Sequence, residues 1–384
     1  MKRRTRLRVF VLCVLAVGVM LGLSTCSPLY VVRAGWEEGK ILWKREPIEK
    51  LVAKPETEAE LKRKFQLVLD ARQFAADNGL KPGESFTSYS DIGREVLIWV
   101  LSGSEKLAFR PATWWFPIVG RIPYKGFFDK DDGLKEAEKL KAKGFDFYLR
   151  TSPAFSTLGW FDDPLLSTTV NFDDAALVNT VIHEILHNTL WIPNHAEFNE
   201  TLANVVGSVG AIEFFTVKLG AEHPTTKLAV KRWEEELEYA VFLRELIKEL
   251  EQLYVKAKEL DDKSRSESEN SALRAELLQQ REQLLEAGVS RWEERHPPAE
   301  PGQRRRAKFN NATILAQTTY LDRPELFARL YTSSGSSLAN LVTRLKQLEE
   351  ELRTNKEGPY GVVERALTAT PPESSGLPTT PLTK

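Results

Sequence analysis

Residues 173–204 read DDAALVNTVIHEILHNTLWIPNHAEFNETLAN, and the spacing inside this stretch decides what the rest of the chain has to build. Leu177, Val178, Val181, Ile182, Ile185, Leu186 and Leu190 cover most of the circumference of a helix, so that helix is expected to be buried, with Asp173 or Asp174 capping its start. Inside it stands His183-Glu184-Ile185-Leu186-His187. Positions i and i+4 share one helical face, so both imidazoles point the same way. Unpaired polar groups on a buried helix cost several kcal/mol, and one divalent cation satisfies all three side chains. Two histidines so placed bind Zn²⁺ at about 2.0–2.1 Å, and Glu184 lies within reach of a water molecule that the metal activates, where it serves as general base.

A catalytic zinc takes three protein ligands and keeps one position open, so a third ligand is expected close by. The second half of the stretch offers Glu200, Glu197 and His195. Asn194 and Glu197 have capping-box spacing, which gives Glu197 a structural task, and His195 falls at the loop-to-helix junction. Glu200 has no such task. It shares a face with Ala203, Asn204, Gly207 and Ala211, small residues that let a second helix lie close against the first. Glu200 is therefore the preferred third ligand, with Glu197 and His195 as alternatives.

Working outward, residues 45–78 carry a helical apolar repeat through Leu51, Leu61, Phe65 and Phe74. From Ser85 to Phe128 the pattern changes to short apolar runs broken by Gly and Pro, which suits strands. Aromatic residues concentrate between Trp99 and Phe161, where a small mixed sheet could bury them. Residues 131–143 read as an amphipathic helix, 145–150 as a strand, and 154–161 as an extended segment able to pack or to pair with a peptide. Beyond the quoted stretch Leu243, Leu246, Leu250, Leu253, Ala257 and Leu260 form a coiled-coil-like seam, and 273–292 supply its partner, predicting an antiparallel hairpin. Two further helices are expected over 309–331 and 336–353.

The N-terminus carries an export signal: Lys2, Arg3, Arg4, Arg6 and Arg8 precede an apolar run from Val9 to Leu23. That run suits a secretory h-region better than a span of about 20 residues. Leu23-Ser24-Thr25-Cys26 resembles the lipobox of bacterial lipoproteins, which implies a lipid on Cys26, with Thr25 departing from the usual small residue. Ser27 resembles the residue of outer-membrane-directed lipoproteins. The expected location is thus the membrane surface facing the periplasm. The other cysteine, Cys13, sits in the h-region, so a processed chain has no disulfide and any metal must use His and carboxylate. A net charge of -1 with 28% charged residues argues against nucleic acid as a partner.

Several segments together resemble a bacterial family known as putative aminopeptidases: Thr113 to Phe128 (TWWFPIVGRIPYKGFF), Ser156 to Ser167 (STLGWFDDPLLS), the HExxH helix, Phe198-Asn199-Glu200, and Phe309-Asn310-Asn311-Ala312 through Tyr320. These markers run in order over nearly the whole mature chain. The resemblance implies a glutamate-liganded zinc peptidase with His183, His187 and Glu200 as ligands and Glu184 as catalyst. The residues alone do not separate aminopeptidase from endopeptidase. Tyr320 and Tyr124 are candidate hydrogen-bond donors to the developing oxyanion, while Asn310 and Asn311 read as capping or backbone-binding groups.

The expected fold is α+β and predominantly helical: a zincin-like metallopeptidase body with a small mixed sheet, plus the hairpin. The expected organisation is a signal peptide (1–25), a zinc peptidase core (26–224), a hairpin insertion (225–300), C-terminal helices completing the core (301–355) and a disordered tail (356–384), rich in Pro, Ser and Thr from Thr368. Expected partners are a peptide or protein substrate, the membrane through the N-terminal lipid, and a protein docking on the hairpin. The alternative reading is a non-catalytic envelope lipoprotein, an interaction or peptide-binding module with a structural metal site.

Overall fold

The structure is a computed structural model that describes residues 36, 39, 41–116, 120–152, 163–261, 264–297 and 309–368. The expected signal peptide, Cys26, the extended segment 154–161 and the tail beyond 368 lie outside the described residues. After helical residues at 36, 39 and 41–43, the elements described in full begin with β1 (Glu46–Pro47), α1 (Ile48–Ala53) and α2 (Ala59–Asp77). The helical stretch expected over 45–78 is split because Lys54, ahead of Pro55, is extended. Strands β2 (Ser88–Ser90), β3 (Ile98–Ser104), β4 (Trp114–Phe116), β5 (Gly120–Ile122) and β6 (Tyr124–Phe127) follow, then α3 (Lys130–Ala142), β7 (Asp146–Ser152) and β8 (Leu165–Leu166).

One mixed sheet was the expectation; the strands instead form three small sheets. β1–β2–β8 is mixed, with β2 and β8 parallel; β6–β3–β7 is antiparallel throughout; β4 and β5 pair by themselves. Pro111 and Pro123 punctuate this region and carry no N–H for a ladder, which keeps the strands short. In the antiparallel sheet Leu101, Phe127, Phe147 and Leu149 pack with Trp114 against Ala137 and Leu140 of α3. Side chains alternate along a strand, so Tyr124 on β6 and Asp146, Tyr148 and Arg150 on β7 belong to the opposite face.

From α4 (Ser167–Val170) onward the regular structure is helical: α5 (Asp174–Thr189), α6 (Ala196–Leu219), α7 (Pro224–Ala257), α8 (Glu267–Arg295), α9 (Asn311–Leu321), α10 (Pro324–Ser333), α11 (Leu338–Thr354) and α12 (Pro359–Thr368). The helix expected over 309–331 breaks at Arg323, whose left-handed φ of 56° precedes Pro324 at the first turn of α10. The disordered tail expected from 356 is corrected as far as 368. Val362 and Val363 of α12 are buried, and Tyr360 donates to the Asp322 carbonyl at 2.8 Å, so apolar burial orders a segment whose composition reads as polar.

The main core gathers α2, α5, α6, α10, α11 and α12. α6 is apolar and long enough to cross a bilayer, but most of it is buried, as expected of a helix apolar on all sides at the centre of a helical body. α7 and α8 form the expected antiparallel pair, with Leu246, Leu250, Leu277, Leu285 and Trp292 in their shared core. Gly288 lets Leu246 come close: a Cβ there would stand 2.9 Å from its Cδ1. The first turns of α7 belong to the main body, since Ala229 joins the main core and Arg232 pairs with Asp173 at 2.8 Å. A second tie is deeper. Arg281 of α8, 1% exposed, pairs with Asp146 of β7, which also accepts from the Asn311 N–H at 3.1 Å.

Candidate metal centre

The helix that carries His183 and His187 is capped by Asp173, whose side chain accepts from the Ala176 N–H at 3.1 Å. Asp174 in the same turn is held near a pKa of about 2 by the Arg63 guanidinium, against the cost of burial and with help from Lys64. A negative charge at this end also favours the helix dipole. α5 packs most extensively on α6. Gly207 permits the approach: a Cβ there would stand 2.8 Å from the Asn179 carbonyl oxygen and 3.2 Å from the His183 Cβ. A Cβ on Gly210 would stand 3.0 Å from Ile182 Cγ2.

The segment between the two helices is locked by a side chain to which sequence reasoning gave no task. Asn199 accepts from the Ile192 N–H at 2.8 Å and donates to the Ile192 carbonyl at 2.7 Å. Its neighbour Phe198 is buried against Phe327 and Tyr360. Phe198, Asn199 and Glu200 thus divide the work: one anchors the helix, one clamps the loop, one faces the histidines. The capping box expected between Asn194 and Glu197 does not form. Asn194 takes a left-handed φ of 65°, which puts it in the turn, and the N-cap passes to His195 without a side-chain capping bond. His195 and Glu197 are both exposed, away from the histidine pair.

Glu200 is the carboxylate that the structure brings to the two imidazoles. Its oxygens lie 3.4 Å from His183 Nε2 and 3.6 Å from His187 Nε2, and one ligand atom from each residue falls within 4.8 Å of the others. Ligands about 2.0–2.1 Å from a tetrahedral zinc stand roughly 3.3 Å apart, so these separations fit a cation placed between them. The three side chains are 12%, 14% and 22% exposed. Burial opposes ionisation of Glu200, yet the hydrogen bonds from His183 and His187 outweigh it and hold its pKa at about 2. Burial likewise opposes charging of His183, and the Glu200 contact with the fields of Glu184 and Glu236 raises its pKa all the same. The site is therefore built around surplus negative charge.

Around this trio stand groups from distant parts of the chain. The Tyr320 ring is 6.5 Å from that of His183, and Trp191 meets His187 edge-on at 5.3 Å. Burial first, then the Glu200 charge, pushes the Tyr320 phenol up to about 12, while Arg150 hydrogen-bonds to it and lowers it in part. Tyr124 is raised by the same two causes, although 48% of the residue stays open to solvent. Asn310 and Asn311 place Tyr320 from the other end of α9. Asn310 caps the helix by accepting from the Thr313 N–H at 3.0 Å and donates to the Phe147 carbonyl at 3.0 Å. Asn311 donates to the Glu105 carbonyl at 2.9 Å and accepts from the Tyr254 hydroxyl at 2.8 Å. The C-terminal end is fixed where the Asp322 N–H donates to Thr201 at 3.1 Å.

Glu236 of α7 was missed by sequence reasoning. It accepts from Asn204 at 2.6 Å, and burial pushes its pKa up to about 7 although His183 opposes the rise. A signal was present: Glu236 is in register with Tyr239, Ala240 and Leu243, the buried stripe of its helix.

The profile of a family described as putative aminopeptidases matches residues 29–358. The chain belongs to the putative aminopeptidase family. The match takes in every strand and helix named above except α12, so the sheets, the helices of the metal site and the hairpin all fall within the matched residues. No curated protein and no solved structure matches the chain.

Proposed function

We propose that this aminopeptidase-family protein is a zinc-dependent peptidase, with His183, His187 and Glu200 holding the ion and Glu184 as general base. The observation that carries the reading is the convergence of two Nε2 atoms and one carboxylate at 3.4 and 3.6 Å on two buried helices. Bound there, a zinc ion supplies a Lewis acid and a water of lowered pKa. Glu184, one residue from His183 and felt by both His183 and Tyr320, takes the proton of the attacking water and returns it to the leaving amine. Tyr320, with a pKa near 12, keeps its proton at neutral pH and can donate it as a hydrogen bond to the oxygen that gains charge. Three ligands group among the described residues, the number a catalytic site uses; a closed structural site, as in the non-catalytic alternative, would take four.

The test uses the full chain purified in detergent. Metal analysis is expected to return zinc for wild type and for Glu184→Gln, and a reduced content for Glu200→Gln. Peptide hydrolysis is expected to fall by roughly 10²–10⁴-fold in Glu184→Gln, the usual contribution of a general base. Equal hydrolysis by wild type and Glu184→Gln, or no cleavage of any peptide in a broad library by the zinc-loaded chain, sinks the reading. The lipobox-like Leu23-Ser24-Thr25-Cys26 supports, in addition, a lipid anchor on Cys26 and a periplasm-facing location. Labelling of cells with a palmitate analogue is expected to mark wild type and not Cys26→Ala.

A further inference from the structure

Arginines in this protein are commonly held by carboxylates: Arg63 by Glu60 and Asp174, Arg232 by Asp173, Arg244 by Glu325, Arg281 by Asp146. Arg150 is different. It is half-buried, it enters no ion pair among the described residues, and its hydrogen-bond partner is the neutral Tyr320 hydroxyl. Its position is imposed by the sheet. Arg150 pairs with Val100 in the register of β3 and β7, near the end of a strand whose start is fixed by Asp146 to Arg281 and Asn311. Alternation puts Asp146 and Arg150 on the same face, and Tyr124, opposite Ser102 on the far side of β3, looks out on that face too. Arg150 acts on both Tyr124 and Tyr320, and Glu200 acts on both as well, while the Tyr320 ring stands 6.5 Å from that of His183, so the guanidinium and the candidate metal ligands flank the same two tyrosines.

Resting on the peptidase reading above, we propose that Arg150, with the Tyr124 and Tyr320 hydroxyls beside it, is a substrate-binding residue that receives a carboxylate of the peptide next to the metal centre. The charge pattern supports an anion there. Glu184 and Glu200 are committed to catalysis and to the metal, and Glu236 is engaged by Asn204, which leaves the guanidinium, among the described residues, as the fixed charge without an ion-pair partner. A planar fork with five donors can keep its bond to the Tyr320 oxygen and still hold a carboxylate in bidentate fashion. By accepting from Arg150, Tyr320 also leaves its own O–H free to donate to the substrate. The preferred substrates are then peptides that present a carboxylate within a residue or two of the scissile bond, either the C-terminus of a short peptide or an Asp or Glu side chain.

Calorimetric binding to the zinc-loaded full chain carrying Glu184→Gln tests this without turnover. The probes are a neutral tripeptide as the free acid, the same tripeptide as its C-terminal amide, and the amide with Asp or Glu in place of one residue. At least one carboxylate-bearing probe is expected to bind about tenfold or more tighter than the neutral amide, the scale of a hydrogen bond to a charged group. Adding Arg150→Gln should bring the two to parity, and Arg150→Lys should restore part of the difference, since it keeps the charge and loses the fork. Preference for the free acid identifies a terminal carboxylate, and preference for the acidic amide a side chain. Parity in the Arg150-intact protein, no binding of any probe, or a loss in Arg150→Gln that is equal for acid and amide overturns the proposal. The peptidase reading fails separately, if the zinc-loaded wild type cleaves nothing while the binding preference persists.

Discussion

Two buried carboxylates in this protein meet opposite solutions. Asp146, at the start of β7, faces a cation that the chain itself supplies, the Arg281 guanidinium reaching in from α8. Glu200, on α6, faces two imidazoles that carry no obligatory charge. The first arrangement is closed: the compensating charge is part of the fold itself, although burial still raises the Asp146 pKa, and the pair ties hairpin to sheet. The second is open, because two imidazoles and a carboxylate within reach of one another are a set of donors that an exchangeable cation can bridge. A carboxylate turned inward therefore marks architecture in one place and a candidate metal site in the other, and the nature of the partner tells them apart.

The comparison breaks most readily at Asp146. Asp146→Ala strands Arg281 in the interior and is expected to cost about 3–5 kcal/mol in urea unfolding, with most of the loss recovered when Arg281→Met is combined with Asp146→Leu. A single-variant loss within 1 kcal/mol would show that the tie is dispensable. Next in size is Gly207→Ala, whose added methyl meets the Asn179 backbone oxygen at 2.8 Å, a neighbour that cannot swing aside. An overpacking cost of about 1–3 kcal/mol and weaker zinc uptake are expected together, because α5 and α6 must separate. Unchanged zinc affinity would mean that the close approach of the helices does not set the ligand spacing.

The mildest effect concerns pH. Glu236 has its pKa raised from 4.5 to about 7, chiefly by burial, so the folded state binds its proton more tightly than the unfolded state does. The stability this contributes is full below pH 4.5 and is lost as pH rises through about 7. Glu236→Gln, neutral at every pH, should flatten the decline in melting temperature between pH 5 and 8, measured with a chelator present. An unaltered slope would assign that decline to other groups.

Helical content, the hairpin and the histidine pair were legible because each rests on periodicity within one segment. That Glu200, and not Glu197 or His195, stands beside the histidines was legible too, by the small residues that share its face. What escaped are residues whose meaning depends on what arrives from elsewhere. Glu236 and Arg281 each interrupt an apolar stripe, in register with Leu243 and Leu285 respectively, and a charge on such a stripe signals a buried partner without naming it. Arg150 gives no local sign, since strand alternation permits either face. The split into three sheets and the ordering of α12 depend on long-range packing that no window of sequence contains.

The three groups that converge on the candidate metal lie between residues 183 and 200, joined by one short turn that Asn199 clamps. Tyr124, Arg150, Glu236 and Tyr320 come from the far reaches of the chain. Closing a short loop costs little chain entropy and long ones cost more, so during folding the cradle for the ion can assemble ahead of the groups that would grip and process a peptide. The proposed metal cradle would then be in place before the proposed peptide-binding groups, in the order in which the chain can close its loops.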